Sequence, residues 1–469
     1  MEKTDVGIES AKQPMDITSA RQATIQDKLE MILDVGQLLL ESGSDSKCCV
    51  RDMLRAAAYL GLHWQQINFQ LTYTTIMANY VGDRRSYTVF RKYRKHGINM
   101  ATIIDVSRLS WQAIEENLVP EAFHSHLQEL KQAHTVRHYS PLIMSLAAGI
   151  ACGAFAKLFG GDWLSFWYTS LAACLGFWVR RWCDALGING YISIGIAAFA
   201  ATMAAHLTSV LPDSATPWYP MIACMLFLVP GIPLINSFDD LVNNYFLSGL
   251  TRSANTALII FAMTFGIVGS LSLWRIPNFT DYSLVPAGMT VSLVLAAAVA
   301  AIGFAIIFNI PPRLLAITGI GAVIAVGTRT ILHLEFGVPM AWASFWGAAI
   351  ISVIGYRFAH WIRVPHVVVI IPAVIPMIPG VLMYRLLLGF FYISTLNPEG
   401  LLNAIQSGVQ AGMIILGIAM GATIPDMIAH QFIERAKHRR LCHMLATSQS
   451  KEDSALELET DIDQASNIR

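Results

Sequence analysis

Phe227-Leu228-Val229-Pro230-Gly231-Ile232-Pro233-Leu234 and Pro376-Met377-Ile378-Pro379-Gly380-Val381-Leu382 decide how this chain is read. Each is a proline–glycine break inside a long apolar stretch, and Pro372 precedes the second. Proline removes an amide donor and blocks the helical bond to the preceding turn. Glycine lets the backbone swing, or lets another helix come close. Backbone groups freed in hydrocarbon are costly unless protein or a water-filled cavity satisfies them. Two such breaks in matching places point to a central polar site; a single one would read as a packing kink.

Working outward, ten apolar stretches lie near 141–159, 163–179, 190–211, 218–236, 254–274, 284–309, 314–334, 338–356, 365–384 and 402–425. Each is about long enough to cross a hydrocarbon core of about 30 Å. Gly160-Gly161-Asp162, Leu211-Pro212-Asp213-Ser214, Arg275-Ile276-Pro277-Asn278, Pro311-Pro312-Arg313 and Asn397-Pro398-Glu399-Gly400 separate them with turn chemistry. Aligning Pro230-Gly231 on Pro379-Gly380 superposes the stretches five on five. Five is odd, so the second half is expected upside down relative to the first, as an inverted repeat.

Composition agrees. Of 469 residues 54% are hydrophobic and only 14% charged, with a mean hydropathy of +0.50; soluble domains carry about 25% charged residues. The charges gather in residues 1–138 and after Ile428. Formal net charge is zero, which leaves no electrostatic footprint for nucleic acid. The seven cysteines include no CxxC pair and read as reduced and structural. The first 30 residues lack an apolar core, so no cleavable signal peptide is expected.

Lysine and arginine set the expected orientation. With the N-terminus inside, Arg137, Arg180, Arg181, Arg252, Arg313, Arg357, Arg363 and the cluster Arg435, Lys437, Arg439 and Arg440 fall inside. Lys157, Arg275, Arg329 and Arg385 fall outside. Both termini are then cytoplasmic, in a multi-pass inner-membrane protein. The expected organisation is a disordered N-terminus (1–22), a small cytosolic α+β domain (23–138), a first five-helix repeat (139–280), a second (281–428) and a polar cytosolic tail (429–469).

Within residues 23–138, Ile25, Leu29, Ile32, Leu33, Leu39 and Leu40 make one helical stripe starting at Thr24. Ser42-Gly43 stops that helix, and Ser44 or Asp45 caps the next. Alternation over Ile67–Tyr73 and a segment Ser86–Phe90 read as strands, with Gly82-Asp83 as a turn. Helices follow near 105–117, capped by Thr102 or Asp105, and near 120–134 from Pro120. Glu41-Ser42-Gly43-Ser44-Asp45 reads as a capped helix junction before it reads as a site. The histidines 124, 126, 134 and 138 read as a solvated helix face, not a metal site.

Polar groups cluster after each break. Asn236, Ser237, Asp239, Asp240 and Asn243 follow the first; Tyr384 and Arg385 follow the second. Ionisable residues within a membrane are functional candidates, although Asp239 and Asp240 also fit the inner interface. The candidate substrate site is therefore Pro230, Gly231, Pro233, Asn236, Ser237, Asp239, Asp240, Pro376, Pro379, Gly380, Tyr384 and Arg385. A carboxylate here can carry a coupling proton. His206, His333, Arg329 and Asp426 are weaker candidates, near span ends.

Leu38-Leu39-Leu40-Glu41-Ser42-Gly43-Ser44-Asp45-Ser46, Val229-Pro230-Gly231-Ile232-Pro233-Leu234-Ile235-Asn236-Ser237 and the segment Pro376–Gly380 resemble, in order and spacing, motifs of the threonine/serine exporter (ThrE) family. The resemblance covers most of residues 25–430. It implies a secondary exporter of L-threonine and L-serine that uses the proton gradient. A related two-protein arrangement is associated with succinate export, and this chain resembles its fused form. No catalytic residues, cofactor or metal are implied, and no GxxxxGK[ST] loop is present. The implied partners are a small substrate (threonine, serine or a dicarboxylate), protons and the bilayer; a homo-oligomer is compatible. Asp239 and Asp240 lean towards an ammonium or proton, Arg385 towards a carboxylate. A membrane-anchored enzyme or sensor domain is the reading from another class, and a passive channel is a third.

Overall fold

A computed structural model describes residues 17–82, 85–93, 97–116, 118–133, 138–209, 216–274, 291–394, 397–425 and 427–428, with side chains from residue 25. The tail 429–469, the first 16 residues, Asp83, His134, Arg137, Asp426, the junctions 210–215 and 275–290 and the basic cluster 435–440 lie outside the described residues.

Among the described residues of 17–133 are four α-helices and one sheet: α1 (Ile17–Glu41), α2 (Ser46–Tyr59), β1 (Ile67–Leu71), β2 (Thr75–Val81), β3 (Ser86–Lys92), α3 (Met100–Glu115) and α4 (Pro120–Ala133). The stripe of α1 is buried at Leu29, Ile32, Leu33, Leu39 and Leu40 against Met53, Ile76 and Ile104. Among the described residues α1 already includes Ile17–Ala23, ahead of the expected Thr24, since nothing in that stretch breaks a helix. The sheet has three antiparallel strands in the order β1-β2-β3, one more than the sequence reading gave. Tyr73 ends no strand. It sits in a tight turn where the Thr72 amide donates to the Thr75 carbonyl at 2.9 Å and Thr72 Oγ1 accepts from the Thr75 amide at 3.0 Å. A threonine side chain thus replaces the glycine or asparagine that usually marks such a turn. α3 is capped by Asn99, whose side chain accepts from the Thr102 amide, and not by Thr102 or Asp105. His124 and His126 are exposed, and among the described residues no group of three His, Cys, Asp or Glu could hold a metal.

Beyond residue 138 the described chain is helical: α5 (Pro141–Leu158), α6 (Trp163–Ala185), α7 (Gly190–Ser209), α8 (Tyr219–Ala223), α9 (Gly231–Val242), α10 (Phe246–Leu273), α11 (Val291–Ile307), α12 (Pro312–Leu334), α13 (Met340–Trp361), α14 (His366–Val374), α15 (Gly380–Phe391) and α16 (Pro398–Pro425). Among the described residues, five helices (α5, α7, α10, α12 and α16) are long and apolar enough to cross a membrane. The bent pairs α8/α9 and α14/α15 raise the number to seven. α11 is a shorter apolar helix. α6 and α13, of 23 and 22 residues, are diluted by tryptophans and charges. Their exposed Trp163, Trp167, Trp178, Trp182, Trp342, Trp346 and Trp361 suit a lipid interface. This is a polytopic helical membrane protein.

α5 and α11 pack on each other, with Phe155 edge-on to Phe304 at 5.9 Å. They run in opposite senses. α5 begins beside the N-terminal unit and α11 ends there. Tyr139 Oη, just before α5, donates to the Ile310 carbonyl at 2.7 Å, and the Met100 amide donates to the Phe308 carbonyl at 2.9 Å.

Candidate functional site

The two breaks have the same backbone. Before each, a 3-10 turn (Leu226–Leu228 or Ile375–Met377) ends in an extended residue, Val229 or Ile378. Pro230 then adopts φ −78°, ψ 64°, and Pro379 φ −83°, ψ 57°. The Gly231 amide closes on the Val229 carbonyl at 2.8 Å, and that of Gly380 on Ile378 at 2.9 Å. These are inverse γ-turns, and they bend the pairs by 58° and 54°. Proline suits the turn centre because its ring fixes φ and it lacks the amide that would go unpaired.

The breaks also face each other. A Cβ on Gly231 would meet Ile378 Cδ1 at 2.8 Å and Ile375 at 3.7 Å. A Cβ on Gly380 would meet Leu226 Cδ2 at 2.9 Å and Val229 Cγ2 at 3.1 Å. Each glycine is seated on the other half's turn, so the contact is reciprocal. Tyr384, fully buried, ties the halves further by donating from Oη to the Ile222 carbonyl at 3.0 Å.

Next to the first break the chemistry is polar, and it involves the N-terminal unit. α1 stops with Gly43 at φ +87°, the Gly43 amide on the Leu40 carbonyl and the Ser44 amide on Leu39. Asp45 Oδ2 then caps α2 by accepting from the Cys48 amide at 2.8 Å. This short loop is docked on α9 and α10. Asn236 Nδ2 donates to the Gly43 carbonyl at 2.9 Å and Arg252 Nη2 to the Ser44 carbonyl at 2.8 Å. The Ser46 amide donates to Asp240 Oδ1 at 2.8 Å, and Ser46 Oγ to Ser248 Oγ at 2.9 Å. Ser248 Oγ donates to Asp240 Oδ2 at 2.9 Å. Arg252 Nε lies 3.0 Å from the same oxygen, an ion pair whose N–H is not aligned along the contact. Asp240 is wholly buried, and its oxygens are taken. It is a clamp for the loop.

Asp239 is different. It is half-buried, accepts from Thr423 Oγ1 at 2.9 Å, and lines a cleft with about 510 Å³ of free space, part of it open to solvent. The cleft is walled by Asp45, Lys47, Cys48 and Arg51 of the N-terminal unit, Asn236 of α9, His366 at the start of α14 and Thr423 of α16. Burial pushes the Cys48 thiol up to about 12, so it stays protonated and is no nucleophile. Asp45 is 5% exposed, and its Oδ1 is buried without a hydrogen-bond partner.

A family model described as "Putative threonine/serine exporter" matches residues 30–274, and one described as "Threonine/Serine exporter, ThrE" matches residues 293–428. The chain belongs to the threonine/serine exporter family. Within that family it is similar to a "Threonine/serine exporter" of Corynebacterium glutamicum, 24% identical over 88% of this chain and 84% of the relative. It is also similar to the "Probable succinate transporter subunit YjjP" of Escherichia coli (strain K12), 28% identical over 52% of this chain and 93% of the relative. No solved structure matches it. These names are those of transporters, and this exporter-family chain is not an enzyme.

Of the residues singled out in the sequence, Asn236 and Asp239 line the cleft, and Asp240 lies beside it in the clamp. Ser237 is buried and donates to the Leu234 carbonyl at 2.7 Å. Pro230, Gly231, Pro379 and Gly380 form the paired turns, Pro376 lies in the second 3-10 turn, and Pro233 in the first turn of α9. Tyr384 is an inter-half tie. Arg385 is half-buried on α15 and does not line the cleft.

Sequence reading gave too little weight to two groups. The segment 41–45 reads as a junction in the sequence, yet with Ser46 it is also the docking loop; its partners lie about two hundred residues away. Arg329, read as a boundary residue, donates from Nη1 to the Met377 carbonyl at 3.1 Å, directly before the second break. With Thr330 and His333 it lines a second cavity of about 360 Å³.

Proposed function

We propose that this chain exports small amino acids, L-threonine and L-serine, across the inner membrane by secondary transport coupled to the proton gradient. The observation that carries the reading is the cleft at the first break. There Asp239 lines one solvent-reaching volume with groups from the N-terminal unit, from α14 and from α16. A zwitterion needs both signs of charge. The cleft holds carboxylates from Asp45 and Asp239 and cationic groups from Lys47 and Arg51. Asp239, more open than Asp240, is the carboxylate placed to exchange a proton.

Ten crossings as two inverted five-helix repeats fit this function. Supporting it are the matched turns, the reciprocal seating of Gly231 and Gly380, and the opposite senses of α5 and α11. Rocking of the halves about the breaks gives alternating access. Residues 23–138 form the cytosolic domain that scaffolds or gates the inner mouth, and both termini are cytoplasmic.

Counterflow in proteoliposomes with labelled threonine, serine and succinate tests the substrate. Exchange of threonine or serine is expected. Equal flux with and without a proton gradient would remove the coupling. Succinate export is the second reading, favoured by the YjjP likeness over about half of the chain and by the cationic side of the cleft; succinate exchange without amino-acid exchange would establish it.

A further inference from the structure

We propose that Asp45, from the N-terminal unit, joins Asp239 to form the subsite for the substrate's primary ammonium group. The transported molecule is then required to carry an amine. This rests on the export reading and specifies which end of the substrate is recognised, and by what.

Two carboxylates share the cleft, one from the docked loop and one from α9. Asp239 approaches from α9 with one oxygen on Thr423 Oγ1. Asp45 approaches from the loop with Oδ2 spent on capping α2. Its Oδ1 is the unusual group. A buried carboxylate oxygen without a partner is costly, because water has been removed and nothing replaces it. Elsewhere in this loop the polar atoms are provided for: Gly43 and Ser44 by Asn236 and Arg252, and Ser46 by Asp240 and Ser248. Asp45 Oδ1 is the exception, and it belongs to a residue that walls the cleft.

An ammonium group supplies what is missing. It carries three donors and one positive charge, enough to reach Asp45 Oδ1 and Asp239 while offsetting the repulsion between two nearby carboxylates. A dicarboxylate would add negative charge to the same corner. Arg51 also walls the cleft and offers a cationic side for the substrate's own carboxylate, although it already contacts Asp52 at 3.3 Å and Cys48 Sγ at 2.9 Å. The loop is not free to leave, since the Asp240 clamp fixes Asp45 in place. The N-terminal unit is thereby a wall of the binding site and not an appended module.

The test uses the full-length protein and a ratio that does not depend on its amount. L-serine and its deaminated analogue, 3-hydroxypropionate, are compared in counterflow, and their binding to the purified protein is measured by titration calorimetry. Asp45→Asn keeps the α2 cap, because asparagine caps as well as aspartate. The wild type is expected to prefer serine by about 100-fold, since a site built to pair a group rejects the analogue that lacks it. Asp45→Asn and Asp239→Asn should each reduce that preference to a few-fold, and Asp45→Glu should restore part of it. An unchanged serine-to-analogue ratio in Asp45→Asn overturns the proposal, as does a wild type that binds the analogue or succinate better than serine. Asp45-dependent serine binding without any flux would leave the amine subsite standing and remove the export reading instead.

Discussion

The two breaks share a backbone and differ in everything attached to it. Pro230 and Pro379 have dihedrals within a few degrees of each other and bend their spans by 58° and 54°. Downstream of the first come Asn236, Asp239 and Asp240, all engaged with the N-terminal unit or the cleft. Downstream of the second come Tyr384 and Arg385, then Leu386-Leu387-Leu388-Gly389. Its polar support arrives from another helix, through Arg329 on the Met377 carbonyl. The difference teaches that the same proline–glycine turn is built twice while the polar clamp beside it is built once. A proline–glycine turn can be duplicated with the chain. A clamp for a loop from the single N-terminal unit has only one place to act.

The largest expected effect tests the unshared part. Asp240→Ala leaves Arg252 buried without its carboxylate and the Ser46 amide without its acceptor. Breaking a buried pair from one side costs about 3–5 kcal/mol. Thermal unfolding in detergent should show the loss, and the 42–46 loop should become open to protease. Full stability would mean that the loop is held by something other than the clamp. Next, Arg329→Gln weakens a charged donor on the second turn; about 1.5–3 kcal/mol is expected, read by the same unfolding assay. No measurable change would show that the second break needs no polar support.

Smaller effects test the shared part. Gly231→Ala and Gly380→Ala each push a Cβ into flexible side-chain ends at 2.8 and 2.9 Å. About 1 kcal/mol each is expected, and the two should be equal. A difference of severalfold would refute the reciprocal seating. Pro230→Ala and Pro379→Ala should leave the fold nearly intact, yet slow counterflow about tenfold by loosening a preset hinge. If both retain full transport, the breaks are packing kinks and the substrate site lies elsewhere.

How much of this was legible in the chain follows the same division. The apolar stretches and their breaks were readable because hydropathy and proline–glycine pairs are local signals. A cap for α2 at Ser44 or Asp45 was readable for the same reason, and Asp45 is the one that provides it. The attachment of Gly43, Ser44 and Ser46 to Asn236, Arg252 and Asp240 was not, since no local pattern announces a partner so far along the chain. Asp239 and Asp240 look equivalent as neighbours in sequence. On a helix, adjacent residues point about 100° apart, and that rotation sends one into the clamp and the other into the cleft. Asn99 was passed over as a cap because Thr102 and Asp105 are chemically as good, and only the path of Gly97–Asn99 alongside Glu41 and Ser42 decides among them.

The seating of each break glycine on the opposite turn has a consequence for how such a protein can be encoded. Neither half presents a finished surface alone; each carries the socket for the other. A polypeptide cut between Trp274 and Val291 should therefore find its missing portion and re-form the pair, with the covalent joint serving chiefly to raise the effective concentration of one half near the other. One gene or two is then a matter of assembly kinetics and dosage, and the YjjP relative, described as a subunit and matched over about half of this chain, has the extent that such a division would give.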